Sequence, residues 1–248
     1  MEKFVITGFP RSATTVFTKY IAALDDVHIL TKKLGTLEPY EYNDEEMFVA
    51  PEKDLEYHES ICDKKYFGFK SFNTDVMNCD YLFQQGYKPI SLIRKDIWKS
   101  VTSWCALHLQ SNNDKVKSFW EESTKNHVFD REYFASLSDI PVPVWRLFSK
   151  ALYSRLRVAY AVERYYNNID IIYFEDIIKP NASFDKLNEY FNEEIIFNLN
   201  YQDDMDARDY TPSLPKEFYK HLCVKAKMSL NLPSDTPDYI LESLNRYL

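Results

Sequence analysis

Short runs of apolar and β-branched residues recur along the chain, each bounded by polar positions, and they predict buried β-strands. The runs are Phe4-Val5-Ile6-Thr7, Tyr66-Phe67-Gly68-Phe69-Lys70, Pro89-Ile90-Ser91-Leu92-Ile93-Arg94 and Asp170-Ile171-Ile172-Tyr173-Phe174. All four are too short to be helices. Pro89 is compatible with a strand because it stands at the first position of its run.

Between these runs the apolar residues recur at helical spacing, which predicts amphipathic helices. The stripes lie at 16–24, 97–105, 152–166, 184–191, 218–226 and 240–248, and a helix-like stretch over 75–85 ends at Gly86. Asp96 precedes one of these helices and is a predicted N-cap. Strands that alternate with helices predict an α/β fold with three layers, in which helices flank a central parallel sheet.

The remaining segments have no clean period. Residues 25–43 and 198–214 are predicted loops, the first with room for a short strand, and 44–65 is a predicted polar loop with short helical pieces. We expect one domain over 1–248, in which about 106–148 forms a helical insertion that acts as a lid or binds an acceptor.

Composition narrows the choice of partners. The chain has 248 residues, 45% of them hydrophobic, and a net charge of −8, which argues against nucleic acid or an anionic membrane as the main partner. No apolar run approaches the roughly 18 residues of a membrane span, and the first strand begins too early for a signal peptide. Four scattered cysteines show no metal-ligand spacing. A cytoplasmic protein with reduced thiols and no metal is therefore expected.

The loop between the first strand and the first helix carries the strongest functional pattern. Gly8-Phe9-Pro10-Arg11-Ser12-Ala13-Thr14-Thr15 aims backbone N–H groups and the positive end of a helix at one point. Hydroxyls and an arginine add further donors, so the sequence predicts a phosphate site. The nucleotide-binding P-loop, G-x-x-x-x-G-K-[ST], is the nearest general motif, but this chain has Thr14 where that motif has lysine.

This loop resembles the 5′-phosphosulfate loop, P-[RK]-S-G-T-T, of sulfotransferases that use 3′-phosphoadenosine-5′-phosphosulfate (PAPS). Pro10, Arg11, Ser12, Thr14 and Thr15 match it, and Ala13 replaces the usual glycine. The resemblance implies a sulfotransferase fold related to P-loop NTPases. It also implies that Arg11 stabilises the leaving group.

Two later segments extend the resemblance. In the family, an arginine at a strand end and a serine about eight residues later hold the 3′-phosphate; here these are Arg94 and Ser103, with Ser100 as the alternative. Tyr173-Phe174-Glu175-Asp176-Ile177-Ile178 resembles the family's Y-E-D-L segment, whose tyrosine lies near the adenine. Phe174 takes that place and implies stacking on the base.

The resemblance also implies catalytic residues. Lys70 matches a lysine that lies near the sulfuryl group in the cytosolic branch, but Phe72 replaces the histidine that follows it there. Glu38-Pro39-Tyr40-Glu41-Tyr42 resembles the G-E-P-x-E-[FY]-[FY] segment of the bacterial glycolipid branch. Glu38 is then the general base, with Glu41 as the alternative and His108 in reserve.

The sequence thus favours an enzyme that moves a sulfuryl group from PAPS to a hydroxyl or amine of a small-molecule, sugar or lipid acceptor. Two other functions are open at this point. A P-loop-like nucleotide kinase would need the missing lysine and Mg²⁺ ligands. A non-catalytic nucleotide-binding protein would need only the binding loop.

Overall fold

The computed structural model of the chain describes residues 1–9, 12–30, 50–71, 82–110, 142–199 and 216–248. The strands in these ranges are β1 (Glu2–Gly8), β2 (Val27–Leu30), β3 (Tyr66–Ser71), β4 (Lys88–Ile93) and β5 (Asp170–Tyr173). The helices are α1 (Thr14–Ala22), α2 (Ala50–Ile61), α3 (Ile97–Gln110), α4 (Val142–Arg164), α5 (Phe174–Ile177), α6 (Asp185–Phe191), α7 (Lys216–Leu230) and α8 (Asp238–Asn245).

The five strands form one all-parallel sheet in the order β2-β3-β1-β4-β5. The predicted α/β class with a central parallel sheet is confirmed, and all four predicted strands are present. β2 was predicted only as a possible short strand within a loop. It has four residues, of which only Val27 and Leu30 are buried, so it lacks the continuous apolar run of the other strands.

Two further boundaries differ from the predictions. The polar stretch 44–65 was predicted to be a loop with short helical pieces, but Ala50–Ile61 forms one helix of 12 residues. Phe174 was predicted to end a strand, but it is the first residue of α5. In both cases tertiary packing decides where the element lies, because local propensity is weak there.

The described residues fall into two compact units, each made of two chain segments. The first comprises Met1–Lys95 and Val158–Asp206, and the second comprises Asp96–Arg157 and Ala207–Leu248. One of the three points at which the chain passes between the units, after Arg157, falls within α4.

In the first unit, apolar clusters cover both faces of the sheet. Phe4 and Ile6 of β1 belong to a cluster that includes Phe17 of α1 and Phe191 of α6. Val5, which points to the opposite face, belongs to a second cluster that includes Leu55 of α2. Helices on both faces agree with the predicted three-layer arrangement.

The strand order places a switch point at the centre of the sheet. β1 lies between β3 and β4; the strand that follows β1 in the chain lies on one side, and the strand that follows β4 lies on the other. Parallel α/β sheets bind ligands in the crevice beyond the carboxyl ends of two such strands. The loops after β1 and β4 are therefore where a ligand is expected.

The described residues of the second unit lie mostly in helices. Asp96 is the predicted N-cap, and its carboxylate accepts a hydrogen bond from the Lys99 backbone N–H at 3.0 Å, which confirms the cap. Burial opposes ionisation, but hydrogen bonds from Arg246 and from that N–H outweigh it and lower the pKa of Asp96. Trp98 forms part of the core and donates from Nε1 to the Ser243 carbonyl oxygen of α8 at 2.8 Å.

None of the helices in the described ranges has the length and hydrophobicity needed to cross a membrane.

Candidate anion-binding site

Gly8 brings the end of β1 into close contact with β4. It pairs with Leu92, and a Cβ added at Gly8 would lie 2.1 Å from the Leu92 carbonyl oxygen. Its φ of 147° is also one that side chains disfavour. The next residue, Phe9, donates its N–H to the same carbonyl oxygen at 3.4 Å. Only glycine fits this first position of the predicted phosphate loop.

Ala13 has a backbone conformation that glycine adopts more readily than alanine. It is the N-cap residue of α1, with φ 61° and ψ 17°, which lies in the left-handed region. Its carbonyl oxygen accepts the Phe17 N–H at 2.9 Å, and this bond opens the helix. The Ala13 side chain packs against the apolar cluster on the α1 face of the sheet. The left-handed backbone of Ala13 costs free energy, and its methyl contact with the apolar cluster recovers part of that cost.

We expect the substitution Ala13→Gly to raise the free energy of unfolding by about 0.5 kcal/mol. It relieves a left-handed strain of about 1–2 kcal/mol, while glycine's freedom in the unfolded chain and the lost methyl contact offset much of that gain. Urea denaturation would measure the change. Ala22→Gly, at the end of α1, is the matched control and should lower the same quantity by about 0.5–1 kcal/mol. Equal losses in both variants would contradict the explanation.

Ser12 lies at the start of α1 with its hydroxyl buried. The residue is 0% exposed, and within the described ranges its Oγ has no hydrogen-bond partner. The first turn of α1 contains no acidic residue, so the positive end of the helix is not neutralised from within. A buried hydroxyl without a partner costs about 1–3 kcal/mol, a cost that a bound anion would remove.

Lys70 stands at the carboxyl end of β3 and reaches the same loop. It is 2% exposed, and its Nζ donates to Thr15 Oγ1 at 2.8 Å. Because the ammonium group donates to the Thr15 oxygen, the Thr15 hydroxyl can donate its own hydrogen to an anion. The structure thus brings together two residues that the sequence analysis assigned separately to the 5′-phosphosulfate end.

Arg94 follows β4 and contacts Phe174, the first residue of α5. Arg94 is 8% exposed, and its guanidinium carbon lies 4.4 Å from the centre of the Phe174 ring. Among the described residues, its Nε has no hydrogen-bond partner. Thr7 Oγ1 of β1 is also buried and has no hydrogen-bond partner among the described residues. Thr7 was not predicted as a site residue.

Ser100 and Ser103 both belong to α3 in the second unit. Ser100 is fully buried, and its Oγ accepts a hydrogen bond from Arg155 Nε at 2.8 Å. Ser103 is half-buried. The Ser100 hydroxyl oxygen therefore accepts a hydrogen bond from a neighbour within its own unit.

Arg155 is a residue that the sequence analysis missed. It is buried in the second unit, lies beneath the Trp104 ring at 5.4 Å, and donates from Nη1 to the Ala151 carbonyl oxygen at 3.2 Å. Burial lowers the pKa of its guanidinium to about 10. A signal was present, because Arg155 falls on the apolar stripe that Leu152 and Leu156 define on α4.

Four predicted site residues fall outside the described residues: Pro10, Arg11, Glu38 and its alternative Glu41. The placed residues share one geometry. Within the first unit, the loop after β1 is flanked by a buried lysine on β3 and a buried arginine after β4. Two cations and several hydroxyls at the edge of a parallel sheet can bind anionic groups.

The fold defines the chain as an α/β protein with a five-stranded, all-parallel central sheet. No protein-family model and no curated protein matches its sequence.

Proposed function

We propose that the chain is a PAPS-dependent sulfotransferase with a P-loop-like α/β fold. One observation carries the proposal: β3 and β4 flank β1, Lys70 is the next-to-last residue of β3 and Arg94 directly follows β4, so a buried cation stands on each side of the β1 loop. The motif resemblance assigns these two positions to opposite ends of one nucleotide, which has a phosphosulfate at the 5′ position and a phosphate at the 3′ position. An adenine mononucleotide with two separate anionic groups suits two separate cations.

The donors that lack partners support the same assignment. Ser12 Oγ lies at the α1 side of the loop and Arg94 Nε lies at the β4 side; both are buried and have no partner in the described ranges. We assign Ser12, Ala13, Thr14, Thr15 and Lys70 to the 5′-phosphosulfate and Arg94 to the 3′-phosphate. Pro10 and Arg11 belong to the first group by motif.

The bound donor would supply the sulfuryl group and a stable leaving group, adenosine 3′,5′-bisphosphate. The bond between sulfur and the bridging oxygen breaks, and a bond forms between sulfur and the acceptor oxygen. Lys70 and the N-terminus of α1 stabilise the negative charge that develops on the bridging oxygen. The acceptor proton passes to a base, for which Glu38 is proposed by motif.

The acceptor belongs to the hydroxyl- or amine-bearing compounds, which include small molecules, sugars and lipids. Within the first unit, we assign the buried positive groups to the donor. This assignment agrees with a chain whose net charge is −8 but whose described loop region carries buried cations.

Titration calorimetry with adenosine 3′,5′-bisphosphate and with AMP tests the proposal. The wild type should bind the bisphosphate more tightly, and Arg94→Gln should weaken bisphosphate binding roughly 10- to 100-fold, because a charge-assisted contact contributes about 1.5–3 kcal/mol. AMP binding should change little, since AMP has no 3′-phosphate. Arg157→Gln removes an exposed arginine and is the matched control.

Three outcomes would contradict the proposal. Absence of saturable bisphosphate binding by the wild type would remove its basis. Magnesium-dependent ATP turnover would favour a nucleotide kinase. Tight bisphosphate binding with no sulfation across a broad panel of acceptors would favour a non-catalytic nucleotide-binding protein.

A further inference from the structure

Residues 94–95, which directly follow β4, contact residues 173–175 at the junction of β5 and α5. Two consecutive cations meet two consecutive aromatic rings: Arg94 contacts Phe174 at 4.4 Å, and Lys95 Nζ lies 3.9 Å from the centre of the Tyr173 ring. The Lys95 backbone N–H also donates to Glu175 Oε2 at 3.1 Å. Three contacts therefore hold residues 94–95, which follow β4, against residues 173–175 at the junction of β5 and α5.

The junction of β5 and α5 is itself held by a hydrogen bond to α4. The Tyr173 hydroxyl donates to Glu163 Oε1 of α4 at 2.7 Å, and Glu163 lies in the part of that helix that belongs to the first unit. Burial, followed by this hydrogen bond, raises the pKa of the Tyr173 hydroxyl, so it stays neutral and remains a donor. The Tyr173 ring, which Lys95 contacts, is thus anchored by its hydrogen bond to Glu163.

Phe174 has little surface to offer a nucleotide base. Its side chain is 3% exposed, and the Arg94 guanidinium lies over the ring. Stacking on a purine requires an open ring face, and here a base would have to displace the arginine. The motif resemblance implies that a base stacks on this ring, whereas in the structure the Arg94 guanidinium lies over it.

We infer that Phe174 is a positioning residue that acts through Arg94 and sets the preference for nucleotides that carry a 3′-phosphate. The inference rests on the proposed function and adds a specificity role to that site. A cation held on an aromatic ring keeps its orientation before the anion arrives. Less side-chain freedom is then lost on binding, which strengthens the contact with the 3′-phosphate.

The test compares two ligands in a ringless variant. In Phe174→Leu, affinity for adenosine 3′,5′-bisphosphate should fall about tenfold, while affinity for AMP should stay within about twofold of wild type. Phe174→Tyr keeps the ring and should keep the wild-type ratio of the two affinities. Phe184→Leu is the matched control, because its ring packs against Phe197 at 5.7 Å in the same unit.

A parallel loss of affinity for both ligands in Phe174→Leu would overturn the inference, because it is the result expected of a base-stacking ring. Phe174→Met, an unbranched ringless variant, repeats the comparison if the leucine variant does not fold. If the wild type binds neither ligand, the proposed function fails together with this inference. A wild type that prefers the bisphosphate and a variant with an unchanged ratio would overturn the inference alone.

A second readout tests the contact without any nucleotide. In a side-chain ¹⁵N–¹H correlation spectrum, the Nε–H signal of Arg94, assigned with Arg94→Lys, should be shifted by the Phe174 ring current. Phe174→Leu should move that signal toward the range of exposed arginines, and Phe174→Tyr should not. An Arg94 signal that is the same in wild type and in Phe174→Leu would overturn the proposed positioning.

Discussion

Gly8→Ala is expected to lower the free energy of unfolding by about 2–5 kcal/mol or to prevent folding. The added Cβ would lie 2.1 Å from the Leu92 carbonyl oxygen, a backbone atom that cannot move without shifting β4. Overpacking costs about 1–3 kcal/mol, and the positive φ adds about 1–2 kcal/mol. The loss is a large part of the roughly 5–15 kcal/mol that stabilises a typical protein.

Gly86→Ala provides the control for the backbone contribution. Gly86 also has a positive φ, 85°, but a Cβ there would meet nothing within 4 Å. This variant should lose only the conformational term, about 1 kcal/mol. Urea denaturation of both variants measures the difference, and equal losses would show that the close approach of β1 to β4 has no energetic importance.

Lys70→Met is expected to reduce sulfuryl transfer about 100- to 1,000-fold, the effect of removing one group that stabilises transition-state charge. Methionine keeps an unbranched side chain of nearly the same length but removes the charge and the donor to Thr15. Urea denaturation of this variant, run beside the rate assay, shows whether the lysine also contributes to the free energy of unfolding. Release of sulfate from radiolabelled PAPS, with water as acceptor, measures the rate.

Lys64→Met separates this effect from the loss of any lysine. Lys64 is exposed and donates to the Asp25 carbonyl oxygen at 2.8 Å, so its replacement should leave the rate unchanged. A Lys70→Met enzyme with wild-type turnover would contradict the assignment. So would a rate loss that is matched by a fall in stability, because the lysine would then act on the fold.

The sequence predicted the class of fold because buried parallel strands read as continuous apolar runs. β1, β3, β4 and β5 all have such runs. β2 does not, because its second residue, His28, is exposed and its apolar character is confined to a few positions. The strand order could not be predicted from the sequence, since pairing depends on which segments meet in space. The switch point between β1 and β4 is therefore a result of the structure.

Parts of the candidate site were open to sequence analysis and parts were not. The loop, Lys70 and Arg94 follow from motifs at strand ends. The left-handed backbone of Ala13 could not be inferred from an alanine, which seldom adopts it. The contact between Arg94 and Phe174 joins the residue after β4 to the first residue of α5, two positions far apart in the chain. Arg155 was visible as a charged residue on an apolar stripe, and it was overlooked.

The interleaving of the two units constrains the order in which the chain can fold as it is synthesised. The chain passes from the first unit to the second, back to the first, and again to the second. β1 is made early, yet its neighbours are at 66–71 and 88–93 and the edge strand β5 at 170–173. Because domains fold as units, neither can close on the ribosome until its later segment emerges. The two cations beside the β1 loop are thus synthesised well before the unit that contains them is complete.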